Sequence, residues 1–173
     1  MKRVSTSRVA AVIAIAVSIV LAASQAQADG KRKRSGTNVS LSVLQKNTSA
    51  VGDVPGHEVA QQVTIQHTTK SSDPIFVGQQ VTSFDQVDET AGNGTHRGYS
   101  MGVLKDGSNG PTRYEGTHKT TVKADGAWEW IGEGKYWLLP GTGKLKNQKG
   151  EGTYKCKITA EGGGCDWEEE SEY

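Results

Sequence analysis

The chain has 173 residues, 34% of them hydrophobic and 23% charged, with 20 basic against 19 acidic side chains and only two cysteines. That length is enough for one domain with a real core. The near-balance of charge excludes a nucleic-acid partner, which needs a concentrated basic surface.

Lys2, Arg3 and Arg8 precede a nearly unbroken apolar run from Val9 to Ala23, and Ala26-Gln27-Ala28 then offers small residues for cleavage. This is the pattern of an export signal over residues 1–28, with Asp29 opening the mature protein. The apolar run is shorter than the about 20 residues that cross a bilayer core, so no stable membrane anchor is expected. The expected location is secreted or periplasmic. Without the signal the chain keeps 17 basic and 19 acidic residues, a net charge of −2. The run Lys31-Arg32-Lys33-Arg34 reads as a basic flexible N-terminal tail over residues 29–37, ahead of a domain over residues 38–173.

Period-two alternation then recurs with little sign of a helix. Val39, Leu41 and Val43 alternate with polar residues. Val59, Val63, Ile65 and His67 do the same and are expected to share an inward face. Further runs cover Ile75 to Val87 and Gly98 to Leu104, with a long loop around Thr90 to Arg97 between them. A fifth run spans Tyr114 to Val122 and a sixth spans Trp128 to Leu138. Asp125-Gly126 between these two carries a strong hairpin signal. After a loop around Pro140 to Gly150, a seventh run covers Gly152 to Thr159 and an eighth covers Cys165 to Tyr173.

Three copies of one phrase punctuate the second half, eighteen residues apart: Glu115-Gly116-Thr117-His118, Glu133-Gly134-Lys135-Tyr136 and Glu151-Gly152-Thr153-Tyr154. A strand and its turn repeated at that interval describe an antiparallel meander. The expected fold is all-β, a single small eight-stranded antiparallel β-barrel, with an open two-sheet sandwich as the alternative. All 22 glycines fall after residue 28, at turns and inside strands, as a sharply bending sheet requires.

Cys156 and Cys165 lie on the apolar face of adjacent strands, and export permits oxidation. Pairing them opposite each other sets Tyr154 across from Trp167 and Lys155 across from Asp166, both favourable pairs. A disulfide is therefore expected. No metal is expected, because the histidines show no i,i+2 pairing and the cysteines no CxxC spacing.

A two-residue turn at Asp125-Gly126 sets His118 across from Glu133. That pair reads either as a proton-transfer couple or as an ordinary ion pair on the outer wall. His67 reads as an inward polar group, and Glu169, on the Trp167 face, as an inward carboxylate in need of a partner. Tyr154 and Trp167 belong to an aromatic-rich last third suited to lining a pocket for an apolar ligand or a sugar. Gly141-Thr142-Gly143-Lys144-Leu145 lacks the spacing and the following helix of a phosphate loop. No catalytic residue and no cofactor is assigned.

The stretch Glu133-Gly134-Lys135-Tyr136, Gly141-Thr142-Gly143-Lys144-Leu145, Gly150-Glu151-Gly152-Thr153-Tyr154-Lys155 and Trp167-Glu168 resembles the secreted bacterial proteins described as allene oxide cyclase barrel-like. These share a small eight-stranded barrel with plant allene oxide cyclases and dirigent proteins. The resemblance spans Gly56 to Tyr173. It implies the barrel and permits a homo-oligomer. No position matches the cyclases' catalytic residues, and Leu145 stands where the loop usually carries an aromatic. The expected function is binding of a small, partly apolar or aromatic ligand in the lumen or mouth, with His67, His118, Glu133, Tyr154 and Trp167 as candidate contacts. A cyclase or isomerase, or an envelope surface-contact protein, are the alternatives.

Overall fold

The computed structural model describes residues 30–173. The export signal lies outside the described residues. Eight antiparallel strands follow one another around a single sheet: β1 (Arg32–Ala50), β2 (His57–Ser71), β3 (Gln80–Thr90), β4 (Asn93–Val103), β5 (Asn109–Val122), β6 (Trp128–Leu138), β7 (Lys149–Thr159) and β8 (Gly162–Glu172). Each strand pairs with the next, and β1 also pairs with β8, so the sheet closes on itself as a barrel. Closure removes the free edges that an open meander would leave exposed.

The two ends of the barrel differ. The connections around residues 72–79, 104–108 and 139–148 form a floor. Two 3-10 turns there, Pro74–Phe76 and Gly143–Leu145, drop Phe76 and Leu145 inward against Leu104. Ile75 and Tyr173 pack on this cluster, and the Phe76 ring meets Trp167 and Tyr173 edge-on at 6.1 and 6.2 Å. Leu145, the departure from the resembled loop, is the most buried of these apolar side chains. Lys144 turns away to an ion pair with Asp106 at 2.9 Å, which holds that carboxyl down at about 2. At the opposite end the connections are mostly short, and the barrel has a mouth.

Several expectations need correction. The basic segment expected as a flexible tail is strand from Arg32 onward, paired with β8 from Arg32↔Ser171 to Val39↔Gly164. Arg34 is the reason. Its guanidinium is buried on the floor, 3.2 Å from Asp73 and 3.5 Å from Glu169, bonded to Ser171 and stacked 4.0 Å over the Tyr173 ring. Glu169 thereby gains the partner that its inward position demanded. The long loop expected at Thr90 to Arg97 is a tight hairpin instead: β3 and β4 are joined by Ala91 and Gly92, both at positive φ. The third run begins not as strand but as the floor turn at Pro74.

One register change and one reversal of face set what lines the interior. The β5–β6 connection contains Lys123 to Ala127, closed by the Lys123 N–H donating to the Ala127 carbonyl at 2.7 Å. This longer loop pairs His118 with Gly132 and Thr117 with Glu133. A one-residue slip reverses faces, so Glu133 stands outside, 3.8 Å from Lys155 and exposed, while His118 points inward. On β2 it is Gln62, Thr64 and Gln66 that line the lumen. Val63, Ile65 and His67 alternate with them and face out. Inferring the inner face from hydrophobicity fails here because the β2 part of the lumen wall is polar.

The Cys156–Cys165 disulfide is present, and its flanking pairs Tyr154↔Trp167 and Lys155↔Asp166 are those expected. Removing the Arg34 cation leaves Glu169 and Asp73 partly buried without compensation. Breaking a buried pair in this way costs about 3–5 kcal/mol. Arg34→Ala is expected to lower the urea unfolding free energy by about that amount, and a loss under about 1 kcal/mol would show the clasp to be dispensable.

Candidate functional site

Between floor and mouth the barrel encloses a cavity of about 690 Å³. Its wall is built in rows that follow the strand register. The first row runs Glu89, Gly94, His118, Gly132, Cys156 and Cys165 across β3 to β8. The second runs Val87, His96, Gly116, Gly134, Tyr154 and Trp167. The third runs Asp85, Gly98, Tyr114, Tyr136, Gly152 and Glu169. Each row contains two glycines that open gaps between larger groups.

The spacing lets side chains bond over the glycine between them. Glu89 accepts from the His118 ring nitrogen Nε2 at 2.8 Å over Gly94. The Tyr114 hydroxyl donates to Asp85 over Gly98. The Tyr136 hydroxyl donates to Glu169 at 3.0 Å over Gly152. Tyr154 lies over two glycines, Gly134 and Gly116, and reaches His96 Nε2 at 2.6 Å. A Cβ on Gly116 would sit 2.5 Å from the Tyr154 oxygen, and one on Gly134 would sit 2.6 Å from it. The glycines are thus required by close approach.

His96 and His118 also meet, Nδ1 to Nδ1 at 3.4 Å. For two neutral rings in a line that ends on a carboxylate, a single proton arrangement is possible. Tyr154 O–H donates to His96 Nε2, His96 Nδ1–H donates to His118 Nδ1, and His118 Nε2–H donates to Glu89. Trp130 stacks on His118 with ring centroids 5.6 Å apart and 21° between planes. Burial, and then the neighbouring His118, hold His96 down at about 4, so it is neutral at ordinary pH. Burial, and then the Asp85 charge, push the Tyr154 hydroxyl well above the phenol range. Burial pushes the Asp85 carboxyl up as well.

Of the sequence-derived candidates, His118, Tyr154 and Trp167 line the cavity, whereas His67 and Glu133 do not. Trp167 donates its indole N–H to Asn38 at 3.2 Å near the floor. Sequence reasoning missed Asp85, Glu89, His96, Tyr114 and Trp130 as members of one constellation. His96 carried a legible signal: Gly94-Thr95-His96 repeats Gly116-Thr117-His118, glycine and ring two residues apart on one face. Nearer the mouth the lining turns apolar, with Val122, Trp128 and Ile158. Val122 and Trp128 are also exposed there. Among the described residues no group of three or more metal-ligating side chains converges.

Gly134→Ala is expected to displace Tyr154 from His96 and to lower stability by about 1–3 kcal/mol, the usual cost of overpacking. Thermal unfolding measures the loss, and an unchanged midpoint would disprove the close-packing argument. His96 gives a pH signature. Its folded-state value of about 4 lies below the ordinary imidazole value of 6.5, so the unfolded chain binds the proton first. Its contribution is complete above pH about 6.5 and is lost as pH falls toward about 4. Urea midpoints measured across that window should fall more steeply for the parent protein than for His96→Gln, and parallel curves would refute the assignment.

No family model and no curated protein matches the chain. Among solved structures, the chain is similar to a protein with unknown function from Clostridium acetobutylicum ATCC 824, with a TM-score of 0.48 and 9% identity, over 81% of this chain and 99% of that one.

Proposed function

We propose that this protein binds a small, partly apolar molecule inside its barrel. The observation that carries the reading is the unfilled lumen. A cavity of about 690 Å³ lies within the size range of small-molecule sites. Its apolar mouth and polar middle suit a ligand with a hydrophobic body and one oxygen-bearing end. Enclosure removes apolar ligand surface from water at about 25 cal/mol per Å². Tyr154, Tyr114 and the histidines orient the polar end.

The disulfide favours an oxidising compartment. Together with the N-terminal sequence pattern it supports export to the periplasm or beyond. Among the described residues no helix is long and apolar enough to cross a membrane. Resemblance to the allene oxide cyclase barrel-like proteins agrees with a ligand-holding lumen and is part of this proposal. A second role at the outer wall is favoured by Phe84 and Tyr99, cross-strand partners that are both more than half exposed beside Val63. An apolar face of this kind supports contact with a second copy of the chain or another envelope protein.

Trp128, Trp130 and Trp167 line the lumen, so ligand entry is read by their fluorescence. Titration with fatty acids, simple phenolics and fused-ring ketones is expected to give saturable quenching by at least one class. Thr112→Phe, which extends a ring into the cavity, is expected to weaken that binding more than about tenfold while the circular dichroism is unchanged. Equal quenching in the variant would place the ligand elsewhere.

A further inference from the structure

We infer that the lumen is a proton-transfer site, in which the chain Tyr154–His96–His118–Glu89 carries a proton between a bound carbon acid and the solvent at the mouth. The inference rests on the reading of the lumen as a ligand site and adds a reaction to it. Each link is on a different strand, from β7 through β4 and β5 to β3. Each sits within hydrogen-bonding reach of the next, at 2.6, 3.4 and 2.8 Å. All donors point the same way along the chain, from Tyr154 to the carboxylate.

The ends of the chain differ in access. His118 is 1% exposed, whereas the Glu89 carboxylate is 19% exposed. Glu89 lies one residue from the β3–β4 hairpin at the mouth. Tyr154 lies mid-barrel, against the cavity. The carboxylate therefore exchanges protons with water while the phenol contacts the ligand. On the same strands β3 and β5, nearer the floor, Asp85 and Tyr114 form a second carboxyl–hydroxyl pair. The Tyr114 and Tyr154 rings meet edge-on at 6.1 Å, so both hydroxyls serve one small volume.

The substrate class is a ketone with a removable proton beside its carbonyl and an adjacent double bond. The C–H bond breaks and its proton passes to the Tyr154 oxygen. Tyr154 releases its own proton to His96 Nε2, His96 passes one from Nδ1 to His118 Nδ1, and His118 passes one from Nε2 to Glu89. The C–H electron pair moves into a dienolate, whose oxygen accepts a hydrogen bond from Tyr114. As negative charge develops on that oxygen, the Tyr114 O–H turns to it from Asp85. Return of the proton along the same chain to the far carbon of the dienolate gives the conjugated isomer. Composition is unchanged, and no oxidant or cofactor is required. Burial makes an isolated Tyr154 phenolate costly, which favours a relay in which the oxygen gains one proton as it loses another. Tyr154 is the catalytic residue; His96, His118 and Glu89 act through it.

The test uses a bicyclic β,γ-unsaturated ketone, a β,γ-octalone, with the full-length processed protein in deuterium oxide. Binding is followed by tryptophan fluorescence, and deuterium uptake and conjugation by mass and ultraviolet absorbance. The expected result is binding with deuterium uptake far above the buffer rate. Glu89→Gln should slow uptake at least about 100-fold, the scale of a lost acid–base group, with affinity changed less than about threefold. Tyr154→Phe should slow uptake to the same degree, measured at saturating octalone so that any loss of affinity is set aside. Octalone that binds without uptake, or uptake indifferent to Glu89→Gln, overturns the relay. Octalone that does not bind overturns the lumen-binding reading for such ketones. Nitrogen-15 NMR of the histidines then decides the relay without a ligand. Protons at His118 Nε2 and His96 Nδ1 support it, and either opposite tautomer refutes it.

Discussion

Close approach across inward-facing glycines is the constraint on which the site depends. An ordinary small barrel fills its interior with side chains from every strand. Here Gly98, Gly116, Gly134 and Gly152 leave gaps on successive strands, and rings from neighbouring strands lie along the wall over them. Rings laid against the wall do not fill the centre. The same glycines therefore create the cavity and bring together polar groups two or three strands apart. Glu89 meets His118, and Asp85 meets Tyr114, because the intervening β4 residue has no side chain.

Stability and function are separated along the barrel axis. The floor carries the apolar cluster of Phe76, Leu104 and Leu145, and the buried Arg34 clasp ties the first strand to the last. The middle carries hydrogen-bonded polar groups around a void. Filling that void with aliphatic side chains would add dispersion contacts and buried apolar area. Retaining it gives up that stabilisation and gains only where a ligand occupies the space. Among the described residues no buried side-chain nitrogen or oxygen lacks a partner, so the polar middle is satisfied rather than strained.

Much of the fold was legible in the sequence, and the parts that were not have physical causes. The eighteen-residue phrase and the turn residues gave the meander, and the cysteine spacing gave the register of β7 against β8, because cross-strand pairing follows directly from alternation. Alternation alone does not say which face is inner. For β2 the apolar face of Val63 and Ile65 is the outer one, since the inner wall opposite the histidines is amide and hydroxyl. Loop length misled at the β5–β6 hairpin, where one residue moved Glu133 outside and sent His118 toward Glu89. The tail expectation treated Arg34 as one of four solvated charges. Its buried partners lie 39 and 135 positions away in sequence, beyond any local pattern.

The phrase itself looks different once the barrel is known. Its outward glutamates, Glu115, Glu133 and Glu151, are paired or solvated surface groups. Its content is the glycine and the ring two residues later, one making space and the other using space made by a neighbour. Trp130 uses the space over Gly132, Tyr136 that over Gly152, and Tyr154 that over Gly134. A repeat that served stability alone would fill each gap with an aliphatic side chain of matching volume. These gaps are met by rings carrying a nitrogen or a hydroxyl. His118 and Tyr154 join His96 in a hydrogen-bonded line, and no ring seals the centre. Packing economy accounts for the closed sheet and the floor, and it does not account for that line.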